Sequence, residues 1–190
     1  MTNKKHYGLA VSLNRAVKAS NGQFLTMMNP NDFIPLHKFK RQVNYLNVNS
    51  KVVAVGSQYV TVNENNKPLH KSSLPEEHDD IYKTLFRAYS FKPETVMINR
   101  LLIPKDILRF TTNKYPLIFT EVLIKLLQYG KITNLNQALY RQRTGIRRYV
   151  RRSNKFKHSL SFLQLLLKSR SVYNYRPPIF SSIPILKSIF

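Results

Sequence analysis

Residues 115–140 read YPLIFTEVLIKLLQYGKITNLNQALY. Pro116 suits the first position of a helix and Gly130 the position just past its end, so the pattern predicts a helix over 113–130. Leu117, Ile118, Phe119, Val122, Leu123, Ile124, Leu126 and Leu127 lie between them. That apolar band is too wide for a surface helix, which places this one at the centre of a core. Beyond the Gly130-Lys131 turn, Leu135, Ala138 and Leu139 recur at helical spacing and predict a second helix from Thr133 or Asn134.

Working outward, residues 159–169 carry Leu160, Phe162, Leu163, Leu165, Leu166 and Leu167 and predict a third helix. The next residues, 171–175, are compatible with a strand, and Pro177, Pro178 and Pro184 bar a regular helix to the end. Upstream, KVVAVGSQYVTV at 51–62 is the clearest β signal, read as a hairpin turning at Gly56-Ser57 or as one bent strand. Ser73 and Glu76 have capping-box spacing ahead of Ile81, Leu85 and Tyr89, which predicts a helix of about four turns. A further short helix within 94–110 would be broken at Pro104. The first 50 residues hold scattered Asn, Gly and Pro, with one short helix over 9–19, and read as an extended arm. The expected fold is therefore mainly α with a small β-hairpin, an extended N-terminal arm and an irregular Pro-rich C-terminus. It divides into the arm (1–50), a β element plus helix (51–112) and a basic helical region (113–190).

Charge then suggests a partner. The chain has 190 residues, 31 Lys plus Arg, 9 Asp plus Glu and a net charge of +22. All nine acids lie between Asp32 and Glu121, whereas residues 122–190 hold 14 cations and no acid. Self-repulsion of that size favours a polyanionic partner. Within YRQRTGIRRYVRRSNKFKH at 140–158, Arg143, Arg147, Arg151 and Lys155 stand four apart, and Arg148 and Arg152 widen the stripe. On a helix these like charges repel one another, so the stripe reads as a phosphate-contacting face. Tyr140, Tyr149 and Phe156 are interleaved either as stacking platforms or as core. The expected RNA-contacting set adds Lys125, Lys131, Arg141, Lys157, Lys168, Arg170 and Arg176.

Enzyme chemistry has little support in the sequence. There is no Cys, no HExxH spacing among His6, His37, His70, His78 and His158, and no Gly-rich phosphate loop. His78, Asp79 and Asp80 are adjacent but sit where a helix first turn ordinarily carries acids. No metal, cofactor or small-molecule substrate is indicated. The longest apolar run, 160–167, is far short of the ~20 residues of a membrane span. Phe, Tyr, Asn, Ile and Lys, all encoded by A/T-rich codons, are abundant, and the basic N-terminus, which begins at Met1, shows no secretory signal.

The 115–140 segment resembles the first helical hairpin of the bacterial and organellar small-subunit ribosomal protein seven family. Gly130-Lys131 match its turn, Ala138 and Tyr140 its second helix, and SLSFLQLLLKSRSVYNYRPPIFSSIPI its third helix and basic ribbon, with Ile183-Pro184 in place of a Val-Pro pair. The ribbon's Gly-Gly is absent and the 141–158 linker is richer in Arg. The resemblance implies a structural constituent of a mitochondrial ribosome, a non-enzymatic binder of small-subunit ribosomal RNA among neighbouring ribosomal proteins in the matrix, and the A/T-rich codon skew suggests an organellar gene. The rival classes are a structural subunit of a mitochondrial membrane complex and a basic DNA-binding protein.

Overall fold

The computed structural model describes residues 5–86, 90–111, 117–144, 155–176 and 178. Elements follow in the order α1 (Leu9–Ala19), β1 (Phe24–Thr26), α2 (Lys38–Val48), β2 (Val52–Val62), β3 (Pro68–Lys71), α3 (His78–Thr84), β4 (Met97–Asn99), α4 (Leu117–Leu126), β5 (Lys131–Arg143) and α5 (Lys155–Ser171). The architecture is mixed α/β, not mainly α, and is organised by a five-stranded sheet.

β2 is one continuous strand, so Gly56-Ser57 makes no hairpin turn. It pairs in parallel with β5 from Val52–Lys131 to Val62–Arg143. With that edge taken, the other edge of β2 pairs antiparallel first with β4 and then with β3. β1 lies beyond β4, antiparallel to it, so β1, β2 and β5 all run the same way. Most of β2 is buried, as a central strand covered on both faces requires. Val52 and Val55 pack with Leu46 of α2 and with Met97. Val53 packs with Ile81, Ile124, Leu126 and Phe162, from α3, α4 and α5.

The predicted central helix is present as α4, with nine of its ten residues buried. The predicted second helix is instead β5. Leu135, Ala138 and Leu139 fit helical spacing, but the helix Gly130 was expected to cap has already ended at Leu126. The segment around Ile132 and Thr133, both β-branched, then completes the sheet beside β2. A parallel strand must be reached by a crossover, and α4 supplies it.

Other expectations change for local reasons. The capping-box segment is occupied before it can start a helix. Gln58 Oε1 accepts from Leu74 N–H, and the carbonyls of Pro75 and Glu76 accept from Asn134, so α3 begins only at His78. The 94–110 stretch holds β4 between two single 3-10 turns, Pro93–Thr95 and Arg100–Leu102. No strand follows α5 among the described residues; that helix is longer than predicted and runs to Ser171. The N-terminal region is not an extended arm. α1 has its predicted bounds, β1 joins the sheet, and α2 packs on it. α1 is pinned by Asn14, whose amide donates to Phe110 O and whose Oδ1 accepts from Phe110 N–H, at 2.8 Å each. Of the Pro-rich C-terminus, residues 177 and 179–190 lie outside the described residues.

Two substitutions test this core. Lys131 N–H donates to Lys51 O at 2.7 Å where β5 begins, and a Cβ on Gly130 would stand 2.6 Å from the same oxygen. Gly130→Ala should therefore destabilise the fold, and Leu126→Ala should cost about 2–5 kcal/mol. Leu101→Ala, at an exposed position, should stay within about 0.5 kcal/mol of wild type. Urea denaturation measures all three.

Candidate functional site

In open α/β sheets ligands bind outside the carboxyl ends of the parallel strands. Here that end is formed by the loop after β1, the end of β2 and the last residues of β5. Asn29, Pro30, Asn31 and Asp32 build the loop, with Asn31 N–H donating to Asn29 Oδ1 and Asp32 N–H to Asn29 O. Asp32 is only 4% exposed. Its Oδ2 accepts from Tyr140 OH at 2.7 Å and its Oδ1 from Arg143 N–H at 3.0 Å. Phe33 and Arg141 exchange two backbone hydrogen bonds of 2.9 Å. One carboxylate thus ties the loop to the end of β5. Burial and the Asp32 hydrogen bond push the Tyr140 phenol well above its ordinary value, so it stays a donor.

Below the loop lies a buried cation. Lys38, in the first turn of α2, is fully buried, with Nζ 3.4 Å from Thr26 Oγ1 and 3.5 Å from Glu94 O. Burial lowers its pKa to about 8.

A second polar centre sits between α4 and α5. Glu121 accepts from Lys168 Nζ at 2.7 Å, from Tyr173 OH at 3.1 Å and from Thr111 Oγ1, with Lys125 Nζ at 3.9 Å. Burial pushes the carboxyl up, but the Lys168 and Thr111 hydrogen bonds and the nearby ammoniums outweigh it and hold Glu121 below the usual range. At neutral pH it is an anion that anchors two helices. A cavity of about 160 Å³ opens beside it, lined in part by Ser161 and Gln164.

The predicted site residues are dispersed. Lys125 is buried and donates to Arg109 O at 2.8 Å, and Lys168 meets a carboxylate, so the counter-charge of these two is internal. Lys131, Arg141 and Arg143 lie on β5, and Arg141 and Arg143 are brought together at its end. A helical stripe cannot begin at Arg143, because 140–143 is strand. Arg147, Arg148, Arg151 and Arg152 lie outside the described residues. Lys155 and Lys157 fall in the first turn of α5, Arg170 is exposed near its end, and Arg176 is exposed beyond it. His78 accepts from Ile132 N–H at 3.2 Å and so braces β5. Asp32, Phe33, Lys38 and Asn66 were not among the residues expected to form a site. The only local signal for the first was the Asn-Pro-Asn-Asp cluster after an apolar run, which marks a loop and not a role.

Residues 1–127 match the family model described as glycosyl transferase family 2. Among solved structures, S. aureus TarS (residues 1–349) matches 96% of this chain at 14% identity and TM-score 0.58. The mannosyltransferase PcManGT of Pyrobaculum calidifontis, solved with GDP-Man and Mn²⁺, matches all of it at 16% identity and TM-score 0.52. The chain spans about half the length of each of these structures. No curated protein matches it in sequence. These findings overturn the ribosomal resemblance, and with it the non-enzymatic, RNA-bound reading that excluded a small-molecule substrate. They support neither a membrane-complex subunit nor a DNA-binding protein. The short motifs behind the resemblance came from a helix followed by a strand, not from a helical hairpin.

The two buried charges make stability rise with pH in two separate windows, one alkaline and one acidic. Between pH 8 and 10.5 the unfolded chain holds a proton on Lys38 that the folded chain has released, so stability rises with pH there. Lys38→Met should be more stable than wild type at pH 7. The gap should narrow over that window by about 1.4 kcal/mol per pH unit. Glu121 is held below its unfolded value, so its contribution is complete above that value and is lost as pH falls through the folded one. The advantage of wild type over Glu121→Gln should therefore shrink on acidification. Denaturation of each variant across pH checks both.

Proposed function

Because the chain belongs to glycosyl transferase family 2, we propose that it acts in glycosyl transfer, moving a sugar from a nucleotide-sugar donor to a hydroxyl acceptor. The family match over residues 1–127 carries this reading. The likeness in fold to two glycosyltransferases, one of them solved with a nucleotide sugar, supports it. The reaction centre is the carboxyl end of β1, β2 and β5, where the Asn29–Asp32 loop meets Arg141 and Arg143.

A resident metal does not fit the residues present. Among the described residues no three His, Asp or Glu side chains come together to hold an ion. The carboxylate at the proposed centre is buried, and each of its oxygens already accepts a hydrogen bond. The remaining side chains of the loop, Asn29 and Asn31, offer neutral amide oxygens. Mn²⁺ prefers anionic and neutral oxygens arranged around a near-octahedral site, and this set supplies no free anion. The charge that develops on a departing nucleoside diphosphate would be met here by guanidinium groups, which match phosphate oxygens in a planar fork.

The full chain should release nucleoside diphosphate from at least one of a panel of UDP- and GDP-linked sugars when an acceptor is supplied. No release and no thermal stabilisation by any donor would overturn the reading. Millimolar Mn²⁺ alone should leave the melting temperature unchanged, because the described residues form no site at which the ion could favour the folded state.

A further inference from the structure

α5 lies beyond residues 1–127, so the family match assigns it no role. Its inner face is accounted for. Phe162 and Leu165 join the main core, where the Phe162 and Phe86 ring centres are 5.0 Å apart, and Lys168 bonds Glu121 of α4. Its outer face is not. Leu160, Leu163 and Leu167 follow at i, i+3 and i+7, which aligns them along one side of the helix. They are 47%, 44% and 60% exposed, and Val172, just past the helix, is 61% exposed. A helix with apolar residues on opposite faces belongs between two layers, and here only one layer is present. Single exposed leucines are ordinary, whereas a row of them on one face marks a contact surface.

Charge decides what the row meets. From Arg147 to Arg170 the sequence carries eight cations and no acid. Lys168 is neutralised by Glu121. Arg170, near the end of α5, and Arg176, beyond it, are exposed and make no ion pair among the described residues. The rim of a protein interface ordinarily mixes polar groups of both signs around its apolar centre. An anionic bilayer surface instead takes both parts of this face. Its acyl boundary accepts leucines, and its headgroups attract cations whose long stems span the distance between the two levels.

We propose that the outer face of α5 docks the protein on an anionic membrane surface. Leu160, Leu163 and Leu167 rest at the acyl boundary, and Arg170 and Arg176 lie among the headgroups. The helix lies along the surface and does not cross it, since no helix among the described residues is long and apolar enough to span a bilayer. The inference goes beyond sugar transfer, because it concerns where the protein sits and not what its carboxyl-end site binds.

The chain has no Trp, so Leu163→Trp places a single fluorophore on the row. Leu101→Trp, at an exposed position elsewhere, is its control. With vesicles of phosphatidylcholine and phosphatidylglycerol, emission of the Leu163→Trp protein should move to shorter wavelength and be quenched by brominated acyl chains. Emission of the Leu101→Trp protein should do neither, and vesicles of phosphatidylcholine alone should affect neither protein. In flotation, Leu163→Asp combined with Leu167→Asp should lower the bound fraction about tenfold. Leu69→Asp combined with Leu101→Asp changes the net charge equally at exposed leucines outside α5, and should leave binding within about twofold of wild type. That comparison separates docking through α5 from adsorption of a chain carrying +22. Arg170→Glu should weaken binding severalfold. Equal flotation of the two double variants, both matching wild type by circular dichroism, overturns the proposal. So does an unshifted emission of the Leu163→Trp protein, and so does capture of an acidic protein by the leucine row without vesicle binding. Release of nucleoside diphosphate from soluble substrates should be the same in Leu163→Asp/Leu167→Asp as in wild type, so docking and sugar transfer fail separately.

Discussion

The parallel ladder between β2 and β5 is the contact on which the rest of this molecule depends. It joins residues more than 70 positions apart and can form only after an intervening crossover has packed on one face of the sheet. That requirement explains why α4 is buried on nearly every side: it lies between the sheet, α1 and α5. It also explains the close approach at Gly130, where the chain leaves the helical layer beside the Lys51 carbonyl. At Gly56 a Cβ would collide with Asn134 Oδ1, so the two strands tolerate no side chain there.

The ladder also decides where polar groups gather. Because β1, β2 and β5 run in one direction, their carboxyl ends meet at one edge, and Asp32 links the first to the last through Tyr140 and the Arg143 backbone. The scarce acids are committed to the interior in this way. Asp32 closes the loop, and Glu121 holds Lys168 and Tyr173 against α4. With nine acids against 31 bases, cations must remain without internal partners. Arg141 and Arg143 make no ion pair among the described residues, and Arg143 lies over the Phe33 ring beside the groove that Arg141 lines.

Legibility differed from element to element. α1 and the buried α4 could be read directly, because amphipathic spacing and an all-round apolar band are local properties. The strand character of 51–62 was legible as well, but whether it turned at Gly56 was not. β5 was not legible: Leu135, Ala138 and Leu139 satisfy helical spacing, and nothing local says that β2 is waiting for a partner. The candidate site suffered the same blindness. Arg143 drew notice as a member of a basic run, whereas Asp32 and Phe33, which orient it, lie about 110 residues earlier.

The amino-acid sequence alone determined the excess of positive charge, the absence of thiol chemistry and the buried central helix. These come from composition and from patterns no longer than a few turns. Only the tertiary structure decided that the fold is a mixed sheet. Only it decided that Lys125 and Lys168 meet a carboxylate while Arg141 and Arg143 make no ion pair among the described residues. Each of these rests on pairings between distant segments, whose closure is rewarded only once the whole sheet has formed.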